Sequence, residues 1–558
     1  MNGNKFIKEA FVSIGISLII GASIAILFDL YFYLELFRQL LTNFSKLMII
    51  PCVIIGIFAS YFIVQKLTAI KLTGCGTSQV IEAYHYRKGI ISIKDSLSKT
   101  LASVVTIGLG GSAGLEGPSL LLGGGIASTI AQKIHLEDIR TFMLSGAAAG
   151  LAAIFRAPLT GILFALEIPF KKDLAKNVFV PASISSVTSY LTFVSIRGGE
   201  PLFPFIPTIN VSLSNTLYAA VEGVLAAIVG VIFIAFFRVV ELKILEVKNR
   251  SLLPFIGGFI IGAIGLIYPE VLGIGYSIIS LSSSGRFYKA SMLFLLMLLI
   301  LKIIATTITL NFGGSGGLFI PSIFVGAILG SIYTKLLNLG SNEVLVMAAM
   351  GAVIATTNKT LLTSIAFVAE TCGPSSIIPT VIAACISYLI SGNWSFYEAQ
   401  LPKEVEEEEK ALSELYYLAR HGFIKEAEKI KVEEAMKKNP IAIHEDISIK
   451  EAFTIIAQHE FRVYPIVDNK ESIIGVINVE DLLAIPIEKW HLPISQVSIK
   501  AVLTVLKEDS IYKVIEKMMK KDQDHAYVVL DEQSMKLIGV ISGIDIIKEL
   551  LKRVTTKI

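Results

Sequence analysis

The stretch GGSAGLEGPS, Gly110 to Ser119, returns as GGSGGLFIPS, Gly313 to Ser322, with seven of ten positions identical at an offset of 203 residues. The same offset carries TGILFALE (Thr160 to Glu167) onto TSIAFVAE (Thr363 to Glu370). One offset shared by two separated motifs means duplication. Residues 1–400 therefore divide into homologous halves of about 1–205 and 206–400. Each copy of the first motif is rich in glycine, contains Pro-Ser and opens onto apolar text. That pattern predicts a tight turn entering a helix, with proline at the first helical position.

Composition says where these halves reside. The 558 residues are 53% hydrophobic and 17% charged, with a mean hydropathy of +0.69; a soluble chain carries about 25% charged residues. A single water-soluble fold, a disordered chain and a nucleic-acid binder are excluded, and a net charge of +3 calls for no polyanionic partner. Residues 401–558 hold 28 acidic and 23 basic side chains, whereas the first 400 hold only 18 and 26. Residues 1–400 are thus expected to form an all-α, multi-pass membrane domain set in lipid. Apolar runs succeed one another from 11–28 to 376–391, several of them short of the about 20 residues that a full crossing needs. Interrupted helices must turn their free ends toward protein or a water-filled cavity, the mark of a transporter or channel. Lys5 and Lys8 ahead of the first run place the N-terminus in the cytoplasm. The four cysteines, Cys52, Cys75, Cys372 and Cys385, have neither disulfide-like nor zinc-like spacing, and no metal site or enzyme chemistry is expected.

Beyond residue 400 the text changes. EVEEEEK (Glu404 to Lys410) and the helix-like stretch after it read as a charged helical linker over 401–430. VYPIVDNKESIIGVINVEDLL (Val463 to Leu483) then resembles AYVVLDEQSMKLIGVISGIDII (Ala526 to Ile547), each reading strand–turn–strand–helix. These resemble a pair of cystathionine-β-synthase (CBS) modules, about 431–488 and 495–553, which implies a cytosolic α/β unit and a cytoplasmic C-terminus. SGID (Ser542 to Asp545) matches the nucleotide-site pattern of that family, and NVED, ending at Asp481, matches it less closely. The resemblance implies possible adenine nucleotide binding through Ser542, Asp545 and Asp481; a bare dimerisation platform is the alternative. No cofactor is otherwise required.

The chemistry concentrates at the glycine-rich turns. Helix N-termini carry unpaired N–H groups and about half a positive charge, so a turn that lets backbone curl around a small ion favours an anion. Gly114 and Gly117 flank one such turn, Gly317 opens the second, and GCGTS, with Cys75 and Gly76, forms the third. Converging, the three would hold a dehydrated anion by partial charges, loosely enough for it to leave. Glu116 lies among them, with Phe319 at the matching place in the other half. A carboxylate within the membrane is costly and is read as functional by default. Its oxygen would compete with an anion for the same place.

With these motifs in order, the chain resembles the CLC family of chloride channels and proton-coupled chloride exchangers over about residues 10–400. The carrying motifs are GCGTS (74–78), GLEGP (114–118), GLFIP (317–321), FRAPLTGILFALE (155–167) and NKTLLTSIAFVAE (358–370). The resemblance implies two inverted-topology repeats, a homodimer and one anion path per subunit. It makes Glu116 the gating glutamate, gives the N–H groups of Phe319 and Ile320 to the anion, and gives Tyr397 as the hydroxyl donor. Cys75 stands where the family usually has serine, Leu115 where it has a basic residue, and Thr77-Ser78 where it often has Ile-Pro. Chloride is the expected substrate, with nitrate, bromide and fluoride open. Ile168 follows Glu167 where proton-coupled members carry their internal relay acid, and an aliphatic side chain holds no proton. The expectation is a passive gated chloride channel modulated by the tail. The alternatives are a proton-coupled exchanger using the same pore and, remotely, a non-transporting receptor.

Overall fold

A computed structural model describes residues 3–203, 213–247, 249–404 and 427–555, apart from 460, 462, 484, 498–499 and 522. Most of the expected linker, 405–426, lies outside the described residues. The chain divides into two compact units, Met1–Glu404 and Val405–Ile558.

The first half of the first unit runs through α1 (Gly3–Phe44), α2 (Ile49–Leu67), α3 (Gly76–Tyr86), α4 (Ile93–Gly108), α5 (Glu116–Lys133), α6 (Ile139–Phe155), α7 (Pro158–Glu167) and α8 (Phe179–Arg197). The second half repeats the series as α9 (Leu213–Leu245), α10 (Leu253–Ile267), α11 (Tyr276–Ser283), α12 (Met292–Asn311), α13 (Phe319–Leu336), α14 (Glu343–Asn358), α15 (Leu361–Cys372) and α16 (Ile377–Ile390). The repeat extends to single residues. Ser92 and Ser291 cap α4 and α12, and Asp138 and Asn342 cap α6 and α14, each worth about 1 kcal/mol to its helix. Arg156 and Lys359 close α6 and α14 in the left-handed conformation, at φ 54° and 57°. Gly110 and Gly313 take φ 108° and 110°, a conformation open only to glycine.

Among the described residues, seven helices are long and apolar enough to cross a membrane. The helix around the first apolar run is longer than that run, because Leu30 to Phe44 continue it in apolar and aromatic residues. By contrast α7, with 10 residues, is about 15 Å long and cannot cross a hydrocarbon core of about 30 Å. Leu217, Val221, Val224, Ile228 and Ile232 form an exposed apolar stripe on α9, as lipid contact requires. Where helices meet inside, small residues replace the stripe. A Cβ on Gly123 of α5 would strike the Gly146 carbonyl of α6, and its repeat mate Gly326 of α13 abuts Ala349 and Met350 of α14. Lipid gives helices little hydrophobic reason to associate, so this close approach supplies the attraction by dispersion.

Equivalent residues of the halves touch reciprocally. The Gly114 N–H donates to the Gly317 carbonyl at 3.0 Å and the Gly317 N–H to the Gly114 carbonyl at 2.8 Å, an antiparallel bridge. From there α5 and α13 run to opposite faces. Ser128, well along α5, bonds Gly89, just beyond α3, while His85 of α3 bonds the Pro169 carbonyl next to the 170–401 bridge. Arg238, late in α9, binds the Ser395 carbonyl on that same side. Tyr333, late in α13, instead donates to the carbonyl of Tyr218, 20 residues and about 30 Å back along α9. The two halves are thus inverted, as the family resemblance implies; the residue pattern alone leaves their relative sense open.

Among its described residues the second unit holds two small sheets. Strands β4 (Ile443–His444), β5 (Val463–Val467) and β6 (Ile473–Asn478) form one in that order. Strands β3 (Lys437–Lys438), β9 (Leu537–Ser542), β8 (His525–Val529) and β7 (Thr504–Leu506) form the other. Ile473 and Val476 of one module pack with Tyr527 and Val529 of the other, so the two share an apolar seam. A reciprocal Ser448–Glu451 capping box starts the helix Ile449–Ile456.

Candidate functional site

Three helix starts meet at the centre of the membrane unit. β1 (Gly74–Cys75) leads into α3 and pairs in parallel with β2 (Ser315–Gly316), just ahead of α13. The Gly114–Gly317 bridge ties the start of α5 to that of α13, and a Cβ on Gly76 would meet the Gly117 carbonyl. The capping residues Cys75, Leu115 and Leu318 give no side-chain cap bond. The opening N–H groups of three helices are thus left for another acceptor. Proline sits at the third helical position, Pro118 and Pro321, rather than the expected first. Its missing N–H belongs to the first turn either way, so nothing is lost.

The acceptor present is Glu116. Its Oε1 takes the N–H of Phe319 at 2.7 Å, its Oε2 has no partner among the described residues, and the residue is 1% exposed. A Cβ at Gly114 or Gly317 would overlap this carboxyl group. Two glycines therefore make the cradle in which the carboxylate lies. Phe319 and Ile320 are buried, and the Phe319 ring is held among Phe155, Phe164 and Phe367 at centroid distances of 5.2, 5.6 and 5.3 Å.

Tyr397 is buried beside Cys75 and Thr77. Its hydroxyl donates to Asn358 Oδ1 at 3.0 Å, and Asn358 Nδ2 continues to Thr357, whose Oγ1 bonds Ser322 of α13 at 3.0 Å. The tyrosine proton is thus committed to the protein in this arrangement. Ile168 is buried at the end of α7, and Gln400 links its carbonyl to that of Asn358 with two bonds of 3.0 Å. The neighbouring Glu167 reaches across the repeat to accept from Leu362 N, Thr363 N and Thr363 Oγ1 at 2.8, 2.7 and 2.6 Å. Glu370 does the same for Leu159 and Thr160 at the start of α7. These two carboxylates staple helix N-termini.

Residues 55–392 match the family model described as voltage gated chloride channel. This chain belongs to the CLC family. A CLC relative, the voltage-gated ClC-type chloride channel ClcB of Citrobacter koseri, is 29% identical over 305 residues, 52% of this chain and 71% of that protein. An uncharacterized protein of Methanocaldococcus jannaschii is 29% identical over 350 residues, 62% of this chain and 85% of its own. The crystal structure of a CLC-type fluoride/proton antiporter superposes with a TM-score of 0.62 at 22% identity, covering 72% of this chain and all of the other. Residues 432–488 and 494–552 each match the CBS domain model. The protein is accordingly a multi-pass integral membrane member of the CLC family, an anion transport protein rather than an enzyme, with two C-terminal CBS domains.

Sequence reasoning, which preferred partial charges to lysines, missed two buried lysines of this CLC chain. Lys99 of α4 and Lys302 of α12 are repeat mates, again 203 residues apart. The Lys99 Nζ donates to the Cys75 carbonyl at 3.4 Å. Lys302 donates to Val271 and Gly273 at 3.1 and 3.0 Å, and its charge acts on Glu116. A lysine at the repeat offset within each apolar run was the available signal. Lys302 makes no ion pair with the Glu116 carboxylate, so it adds long-range attraction without a tight contact. In the CBS unit, Ser542 Oγ donates to Asp545 Oδ2 at 2.6 Å and Lys437 pairs with Asp545 at 3.3 Å. Asp481 pairs with Lys500 at 2.6 Å.

Proposed function

We propose that the protein is a gated chloride channel whose path is closed by the carboxylate of Glu116. The reading rests on one contact, the Glu116 oxygen on the first N–H of α13. There it competes with chloride for the N–H groups of Phe319 and Ile320, in the cradle of Cys75, Gly76, Gly114, Gly117 and Gly317. Tyr397 joins the anion when its hydroxyl leaves Asn358. Ile168 supports passive conduction. The atoms linking it to Tyr397 are the amides of Gln400 and Asn358, and no acid stands among them.

The second reading is a proton-coupled exchanger, and the similarity to an antiporter keeps it in view. Purified protein in liposomes separates the two. An imposed chloride gradient is expected to dissipate without moving protons; protons driven uphill would overturn the channel reading. We further propose a homodimer with one path per subunit and both termini in the cytoplasm. Adenine nucleotide binding at Ser542 and Asp545, with Asp481 at the first module, completes the proposal.

A further inference from the structure

Lys302 does more than face the site. Its two bonds to the Val271 and Gly273 carbonyls fix the loop that launches α11. Gly275, at φ 86°, turns that loop against the Phe324 ring, and Tyr276 is the first residue of the helix. The Tyr276 ring rests on Phe203 at 6.0 Å, and Phe203 in turn rests on Phe367, part of the cluster around Phe319. The Tyr276 hydroxyl is closed off from solvent and has no hydrogen-bond partner among the described residues. It lies within electrostatic reach of Glu116 and Arg156. Glu116 Oε2 is likewise buried and unpartnered. A buried donor and a buried acceptor, each left without a bond among the described residues, thus lie within electrostatic reach of one another. Such groups are rare in a folded protein and call for a reason.

We propose that Tyr276 is the positioning residue of the open gate: its hydroxyl donates to the Glu116 carboxylate once an anion has displaced that carboxylate from α13. This rests on Glu116 being the gate. The exchange balances, because the anion takes the N–H groups of Phe319 and Ile320 while the carboxylate gains the phenol O–H. No proton need be taken from water, so the gate opens with Glu116 still ionised. The groups that face Glu116 are Lys302, Tyr276, Cys75 and Tyr397; those that face Tyr276 are Glu116, Arg156 and Tyr31. Among them the phenol of Tyr276 is a donor with no bond to give up.

The test is chloride efflux from liposomes for Tyr276→Phe, Glu116→Gln and the double variant, at pH 7.5 and 4.5. Tyr276→Phe is expected to lose about ten- to a hundred-fold in flux at pH 7.5, the worth of one hydrogen bond to a charged group. It should recover at pH 4.5, where protonation replaces the missing donor. In the Glu116→Gln background the same substitution should change nothing. Wild-type flux in Tyr276→Phe at pH 7.5 would overturn the proposal, as would a loss that persists at pH 4.5 or in the Gln background, the signature of damaged packing. Failure of the gate reading itself looks different: Glu116→Gln alone would keep the wild-type pH profile.

Discussion

Glu116 reaches the first N–H of α13 because the residues at 114 and 317 carry no Cβ. Two substitutions act on this contact from opposite sides. If the proposed gate is right, Glu116→Gln removes the charge that competes with the anion; flux is expected to persist and its pH dependence to vanish. Gly114→Ala keeps the acid but puts a methyl group where the carboxyl rests. It should evict the gate and give flux at neutral pH at least equal to that of Glu116→Gln, read as chloride efflux at pH 4.5 and 7.5. A Gly114→Ala protein that stays closed at pH 7.5 would show that the cradle does not seat the carboxylate. At this scale the meeting of the three turns is legible in the sequence, since glycine runs, proline and an acid in apolar text are local patterns. The neighbours that complete the site are not. Asn358 on Tyr397, Gln400 on Ile168 and Tyr276 near Glu116 are brought together across 39, 232 and 160 residues, and only the tertiary fold makes them neighbours.

Helices α7 and α15 are too short to cross lipid, and their N-termini are met by carboxylates from the opposite half. Glu167→Ala strips the start of α15 of an acceptor for three donors. About 2–3 kcal/mol of stability should go with it, the worth of hydrogen bonds to a charged group in a buried setting. Thermal unfolding in detergent checks this, and an unchanged midpoint would make the staple ornamental. Glu222 of α9 is the counter-case. It is fully buried and neither oxygen has a partner among the described residues. Glu222→Leu should therefore stabilise the protein by about 1–3 kcal/mol of relieved desolvation and so raise the midpoint; a fall would reveal a bond that the carboxyl makes. The duplicated series of elements is legible from the 203-residue offset alone. Its inversion is not, because the sense of the second half depends on how many short helices cross, and hydropathy does not resolve them.

Over the whole molecule, an overall charged fraction of 17% averages two units that live in different solvents. The membrane unit has few charges, among them the two staples and the site, with Glu222 buried within α9. The C-terminal unit displays them to water, and several are carboxylates held by the backbone. The N–H groups of Ser448, Ser472 and Ser534 keep the carboxyls of Glu451, Asp468 and Asp531 below their ordinary values. A carboxyl whose value is lowered on folding binds its proton more tightly in the unfolded chain. The stability it contributes is complete above the unfolded value and lost as pH falls through the folded one. Acid should therefore loosen the C-terminal unit first. In the full-length protein, backbone hydrogen exchange across 427–555 is expected to stay slow from pH 7 to 5 and, corrected for intrinsic rates, to quicken below about pH 4. The interface of α5 with α6, closed by glycines and buried from water, should keep its protection over the same range. Protection of 427–555 that held unchanged to pH 3 would mean that these backbone-held carboxylates contribute nothing. Earlier loss at α5–α6 would place the acid-sensitive groups in the membrane unit instead.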